Sequence, residues 1–184
     1  MNKRIRFLVL LIASACCMAL FMGCSAQNRT EAPERPSLPE GWKEYTILNG
    51  SFYLPEEFYE TEAQGVRMLV PEHYPDPSDN VSVVGGDGND SLFTEEKMKE
   101  RIEKSYQEQV GGTVSDFTFL KDTVDGTRRV VARFSVRIGD VDMKQITCSL
   151  FSDNKYVSVT FTDVSGTYTE DFEKSLETVR ITGK

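Results

Sequence analysis

The chain has 184 residues, 39% of them hydrophobic and 10% aromatic, which is typical of a folded globular protein and argues against global disorder. Its 21 basic and 29 acidic residues give a net charge of −8. Nucleic-acid binding requires a basic surface, so this acidic charge argues against a nucleic-acid partner.

The first 23 residues are typical of a secretory signal peptide. Lys3, Arg4 and Arg6 form a basic start, and a nearly continuous apolar run of 16 residues covers 7–22. A membrane-spanning helix needs about 20 apolar residues, so a permanent span is the less favoured alternative. Residues 1–23 are therefore predicted to be cleaved, which leaves 18 basic and 29 acidic residues and a charge of −11.

The segment LFMGC, which ends at Cys24, resembles the lipobox of bacterial lipoproteins. The resemblance implies that Cys24 becomes the first mature residue and carries fatty acyl chains such as palmitate. Two or three such chains hold a protein stably in a lipid bilayer. The segment ASAC, which ends at Cys16, is a second candidate, but it would leave too short an apolar region. Cleavage before Cys24 predicts a lipid-anchored protein of the cell membrane that faces the extracytoplasmic side.

A flexible tether and one folded domain are predicted to follow the anchor. Residues 24–39 are small, polar and proline-bearing, and 40–184 have the size of one domain with one core. Asn49-Gly50 favours a tight turn between strands at 44–48 and 51–54. Two further apolar runs, 67–70 and 80–84, are separated by the loop 71–79, whose three prolines exclude it from a sheet interior.

A helix is predicted over 95–110. Thr94 is a suitable N-cap, and Gly111-Gly112 is a suitable stop. Met98, Ile102, Tyr106 and Val110 recur every fourth residue and form one apolar stripe.

The second half of the domain is predicted to be an antiparallel meander. Apolar residues of the segment RRVVARFSVRI alternate with Arg129, Arg133 and Arg137. These arginines are expected on the solvent side, where they pair with carboxylates of a neighbouring strand or face an acidic partner. Further strands are predicted at 143–152 and 155–163, after turns at Gly139-Asp140 and Asp153-Asn154.

A final helix, capped by Thr169, is predicted before a terminal strand at 180–182. The fold class is therefore α+β, with a single antiparallel β-sheet covered by helices.

The order of these segments resembles that of a known family. LPEGW, FYLPEEF, NVSVV, TEEKMKERIEKSYQEQV, RRVVARFSV, YVSVTFT and YTEDFEKSLETV look like the PsbP-like lipoproteins of low-GC Gram-positive bacteria. The resemblance covers 38–181 and implies a PsbP-like sheet with helices on its faces. Relatives range from a photosystem accessory subunit to a small-GTPase-binding protein, so the fold alone carries no function. The matching positions are turns, caps and core, so no functional residue transfers.

Acidic loops offer the only candidate ligand site. Asp87, Asn89 and Ser91 alternate as at the start of a calcium loop, but Leu92 and Met98 stand where glycine and glutamate are needed. A flexible turn is therefore favoured over a tight calcium site, and no metal or cofactor is predicted. The candidates for weak cation or ligand binding are Glu72, Asp76, Asp79, Asp87, Asn89 and Asp90.

The usual catalytic constellations are missing from the sequence. His73 is the only histidine, no G-x-S-x-G motif occurs, and Cys148 is expected to be buried on an apolar strand face. We therefore expect a non-enzymatic accessory or protein-binding lipoprotein with a protein partner in the cell envelope. A small-ligand or divalent-cation binding module is the alternative, followed by a hydrolase that uses His73.

Overall fold

A computed structural model describes residues 39–63 and 65–182. The predicted signal peptide, Cys24 and all of the tether except its last residue lie outside these residues. The strands are β1 (Trp42–Ile47), β2 (Gly50–Pro55), β3 (Tyr59–Ala63), β4 (Val66–Val70), β5 (Asn80–Asp87), β6 (Thr113–Val124), β7 (Thr127–Ile138), β8 (Val141–Ser152), β9 (Lys155–Asp163) and β10 (Arg180–Ile181). The helices are α1 (Glu95–Val110) and α2 (Thr169–Leu176), with a short 3-10 helix at Asp90–Leu92.

The strands form two antiparallel sheets. The large sheet has seven strands in the order β3-β4-β5-β9-β8-β7-β6, and the small sheet has three in the order β1-β2-β10. The predicted single sheet is therefore wrong. Phe52 of β2 lies edge-on to Phe161 of β9 with ring centroids 6.1 Å apart, so the first hairpin packs face to face on the large sheet instead of pairing with its edge.

Both faces of the large sheet are covered. On one face, α1 buries Met98, Ile102 and Tyr106 against apolar residues of β7 and β8. On the other face, the small sheet and α2 bury a second cluster that includes Phe172 and Leu176. Within the described ranges, neither helix is long and apolar enough to cross a membrane.

The prediction of α1 is confirmed at both ends. The side chain of Thr94 accepts from Lys97 N, and Gly111 ends the helix with a left-handed φ of 66°. The predicted cap of α2 is wrong, because Tyr168 occupies the N-cap position and makes no side-chain capping bond. Thr169 instead donates its hydroxyl to Asp163, a buried carboxylate at the end of β9.

The first hairpin turns one residue earlier than predicted. Ile47 pairs with Gly50, so Leu48 and Asn49 form the turn and Gly50 belongs to β2. Two strands, β3 and β6, were not predicted. The bulge between Ser115 and Thr118 breaks the alternation of β6, and β3 is a short, largely exposed strand.

Only part of the predicted basic face is exposed to solvent. Arg137 is exposed, but Arg129 is buried and its Nη1 lies 3.6 Å from the carboxylate of Glu177, the residue after α2. All three arginines pair with carboxylates, but only Arg129 and Arg137 pair with a neighbouring strand, as the first of the two interpretations predicts. Arg129 pairs with Asp122 of β6, Arg137 with Asp142 of β8, and Arg133 with Glu173 of α2.

Candidate functional site

The acidic residues proposed as cation ligands have separate structural surroundings. Glu72 and Asp76 are exposed in the loop between β4 and β5, whereas Asp79 at the end of that loop is fully buried. Asn89 accepts from Ser91 N and caps the short 3-10 helix. Within residues 39–63 and 65–182, no three His, Cys, Asp or Glu side chains form a group that could hold a metal ion.

Asp79 has a structural environment that the sequence did not indicate. Its Oδ1 accepts from the backbone N–H of Val164 at 2.7 Å and of Ser165 at 3.0 Å, and its Oδ2 lies 2.8 Å from His73 Nε2. The His73 ring also stacks on Tyr168. These contacts use both carboxylate oxygens, so Asp79 joins two loops instead of facing a solvent cation.

Asp90 is nearly buried and lies between two cations. Its Oδ2 is 2.9 Å from Lys121 Nζ, and its Oδ1 pairs with Arg128. Burial opposes ionisation, but the hydrogen bond from Lys121 and the charges of Arg128 and Lys121 outweigh it and lower the pKa of Asp90. This carboxylate therefore stabilises the start of the loop that leads to α1.

The lowered pKa of Asp90 predicts a pH-dependent contribution to stability. The stabilisation is present above the unfolded-state pKa near 4 and is lost as the pH falls through the lower folded-state value. We expect Asp90→Asn to be less stable than wild type at pH 7, with a difference that shrinks towards pH 3. Urea unfolding at pH 7, 5 and 3 measures it, and Asp87→Asn, an exposed change three residues earlier, is the matched control. A difference that stays constant down to pH 3 would contradict the prediction.

Cys148 is buried, as the sequence predicts. Burial raises the pKa of its thiol to about 12, so the thiolate is not formed at neutral pH. A nucleophilic role for this cysteine has no support.

The candidate site is a groove of about 540 Å³ between the first hairpin and the end of the large sheet. Gly85 of β5 and Val157 of β9 line it together with Leu48 of the first turn and Ile181 of β10. Charged lining residues are Asp87, Asp153 and Lys155. The groove therefore combines apolar walls with two carboxylates and one ammonium group.

Gly85 allows the first turn, which contains Leu48, to lie close to β5. A Cβ atom at Gly85 would lie 3.3 Å from Leu48 Cδ1 and 3.2 Å from the carbonyl oxygen of Tyr156. Both approaches are tighter than ordinary van der Waals contact. The groove thus depends on the absence of a side chain at position 85.

Leu48 is an unusual residue for its position. It has a left-handed backbone with φ of 54° and its surface is 52% exposed. A left-handed conformation costs most residues with a Cβ atom about 1–2 kcal/mol, and glycine and asparagine adopt it most readily. Because this strained residue holds an exposed aliphatic side chain beside a groove, Leu48 is a candidate ligand contact. The sequence analysis missed Leu48, although an aliphatic residue directly before Asn49-Gly50 was a visible signal.

A second cavity, of about 700 Å³, lies at the opposite end of β8. Three of its charged residues already have partners, since Arg137 bonds to Asp142 and Asp163 accepts from Gly166 N and Thr169. The groove beside Leu48 is therefore the better candidate for a binding site.

The two-sheet arrangement with helices on the large sheet is a PsbP-like fold. The chain is similar to the solution structure of CyanoP, the cyanobacterial PsbP of Synechocystis sp. PCC 6803, with a TM-score of 0.62 and 13% identity over 82% of this chain and 98% of that chain. This similarity confirms the predicted fold family and shows the fold alone.

Two other structures are more distant. A protein from Bacteroides thetaiotaomicron VPI-5482 has a TM-score of 0.46 and 11% identity over 74% of this chain and 46% of that chain. A Pseudomonas aeruginosa protein of unknown function has a TM-score of 0.40 and 10% identity over 70% of this chain and 99% of that chain. No protein-family model matches the sequence, and no curated protein sequence matches it either.

Proposed function

We propose that the protein is a lipoprotein anchored in the cell membrane through Cys24, whose PsbP-like domain is a non-enzymatic, protein-binding accessory module of the cell envelope. The observation that carries the proposal is the N-terminal sequence. A basic start, an apolar run and Gly23-Cys24 are followed by a polar tether and then by the folded domain. This order presents the domain to other envelope components at a distance from the bilayer.

The surroundings of the potentially catalytic residues support the non-enzymatic part. His73 contacts a buried carboxylate and stacks on Tyr168, whose pKa is raised by burial and by its hydrogen bond to Glu57. Cys148 is buried and protonated at neutral pH. Neither arrangement places an activated nucleophile beside a base in the described part of the chain.

The anchor is tested by metabolic labelling of cells with an alkyne-bearing fatty acid. We expect label on the wild-type protein and none on Cys24→Ala, because the thioether sulfur is the attachment atom implied by the lipobox. Cys148→Ala is the matched control and should keep its label. If label persisted on Cys24→Ala but were lost from Cys16→Ala, Cys16 would be the lipidated residue instead. Label on both variants would contradict lipidation at either site.

The binding role is tested by cross-linking intact cells with a membrane-impermeant lysine reagent. We expect a discrete adduct of higher mass that requires the folded domain. The absence of an adduct, together with a reproducible rise in melting temperature caused by a divalent cation, nucleotide or sugar, would favour the small-ligand or cation-binding alternative. Such a rise is measurable because a ligand at 100 times its Kd adds about 2.7 kcal/mol to stability.

A further inference from the structure

Strand β5 is paired unequally on its two sides. All eight of its residues pair with β9, but only Val81 and Ser82 pair with β4. No described strand continues the ladder along the outer side of Val83–Asp87. This leaves an open strand edge beside the groove, although β5 is an inner strand of the large sheet.

The direction of the open backbone groups follows from one hydrogen bond. Gly88 N donates to Asn154 O at 2.7 Å, and these residues extend the β5–β9 register by one step. In an antiparallel pair, alternate residues exchange both bonds with the partner, and those between them point away. Since Gly86 is in phase with Gly88, the N–H and C=O groups of Val83, Gly85 and Asp87 point away from β9. Of these three residues, Val83 is buried and Gly85 and Asp87 are exposed.

The open edge of β5 lacks most of the features that prevent the β3 and β6 edges of the large sheet from pairing with another strand. The β6 edge carries a bulge, and the β3 edge carries Glu60 and Glu62. Gly85 and Gly86, by contrast, are exposed and have no side chain that would obstruct an approaching strand. The main chain at this position is therefore accessible to another extended main chain.

The groove beside this edge favours a basic side chain with an aliphatic stem. Leu48, Val157 and Ile181 offer apolar walls for methylene groups, and Asp87 and Asp153 offer carboxylates for a cationic end. The single ammonium of Lys155 balances only one of these charges. A second copy of this chain is disfavoured as the occupant, since each mature chain carries a charge of −11 from 18 basic and 29 acidic residues.

We propose that the open edge of β5 over Val84–Asp87 binds an extended, basic segment of a partner protein as an added β-strand, with one lysine or arginine side chain of that segment in the groove beside Leu48. The inference rests on the proposed protein-binding function and assigns it a surface. In β-strand addition, main-chain hydrogen bonds provide the affinity, and the groove provides specificity for the side chains of the bound segment.

The first test uses a defined probe on the mature chain, kept in solution by Cys24→Ser. The probe is an eight-residue peptide of alternating lysine and valine, blocked at both ends. Matched controls are the same peptide with glutamate for lysine and the lysine peptide N-methylated at alternate residues, which keeps its charge but cannot pair as a strand. In an NMR titration, we expect the unmodified lysine peptide to change the chemical shifts of β5, Leu48 and Ile181 and to slow amide hydrogen exchange at Gly85 and Asp87. Neither control peptide should have these effects.

Variants separate binding from stability. We expect Leu48→Asn to weaken peptide binding about tenfold, since the exposed aliphatic contact is lost. The same variant should unfold at an equal or higher temperature, because asparagine tolerates the left-handed turn. Leu120→Asn, which changes an exposed leucine on the β6 edge, should leave binding unchanged. Equal binding of the N-methylated peptide, shifts centred on β3 or β6, or no binding of either lysine peptide would each overturn the proposal.

A second test separates this inference from the proposed function. A photo-cross-linking residue is placed in the full-length, lipidated chain at position 49 in the groove, at position 59 on β3 or at position 120 on β6. An adduct from position 49 that disappears with Leu48→Asn supports the inference. Adducts only from positions 59 or 120 overturn the inference and leave the binding function intact, whereas no adduct from any position counts against both.

Discussion

Replacing Asp79 by alanine is expected to lower the free energy of unfolding by about 3–5 kcal/mol, because two backbone hydrogen bonds to a buried carboxylate are lost at about 1.5–3 kcal/mol each. The two backbone N–H groups that this carboxylate accepts, those of Val164 and Ser165, would lose their acceptor. The His73 side chain would lose its hydrogen bond at Nε2. The loop between β4 and β5 would then lose the hydrogen bonds of Asp79 to the loop before α2.

Thermal and urea unfolding of residues 25–184 measure this effect. We expect the melting temperature to fall by about 10 °C for a domain of this size. Asp79→Asn, which keeps one acceptor oxygen, should lower the free energy of unfolding by less than Asp79→Ala. Glu72→Ala is the matched control in the same loop and should change stability by less than about 0.5 kcal/mol, as is usual for exposed positions. Equal stability of Asp79→Ala and Glu72→Ala would show that the buried network contributes nothing.

The sequence predicted the elements whose signals are local. Helix α1 was predicted at its observed limits, because Thr94, the apolar stripe and Gly111 all lie within the segment itself. The turn at Asp153-Asn154 was predicted for the same reason, and both residues have the positive φ that such a turn requires. Local chemistry therefore determined where these elements begin and end.

The pairing of the strands was not predictable from local patterns. Residues on both faces of β8 and β9 are buried, which shows that the large sheet is an inner layer. The sequence analysis instead took one side of the sheet as solvent. Which hairpin covers the second side depends on contacts such as Phe52 with Phe161, which are 109 positions apart in the chain. A single sheet was the simplest interpretation of the strand pattern, and the structure overturns it.

The candidate site was also poorly predicted, because it depends on contacts between residues that are distant in the sequence. Asp79 was grouped with solvent-facing acids because it follows a loop of prolines and acids, but its partners Val164 and Ser165 lie 85 and 86 residues further along the chain. The groove was missed because Leu48, Gly85, Lys155 and Ile181 meet only in the folded molecule. Among the residues that line it, Asp87 was the only one that the sequence named as a candidate ligand.

Strand β7 provides a matched comparison of buried and exposed ion pairs. Arg129 lies directly opposite Asp122, and Arg137 lies directly opposite Asp142. Both pairs have two parallel hydrogen bonds, at 2.9 and 2.8 Å for Arg129 and at 2.7 and 2.8 Å for Arg137. The arginine side chain is 6% exposed in the first pair and 68% exposed in the second. The two pairs therefore differ in burial, and Arg129 also has a second carboxylate, that of Glu177, 3.6 Å from its Nη1.

We expect Arg129→Met to lower the free energy of unfolding by about 3 kcal/mol, because removal of one partner leaves the Asp122 carboxylate without its counter-charge in a partly desolvated position. The loss should be partly recovered in the double variant Arg129→Met with Asp122→Leu, which removes both charges. Arg137→Met should leave stability unchanged within error, since solvent screens an exposed pair. Urea unfolding of the three variants at pH 7 measures these differences. If Arg129→Met and Arg137→Met proved equally stable, burial would not set the contribution of these pairs.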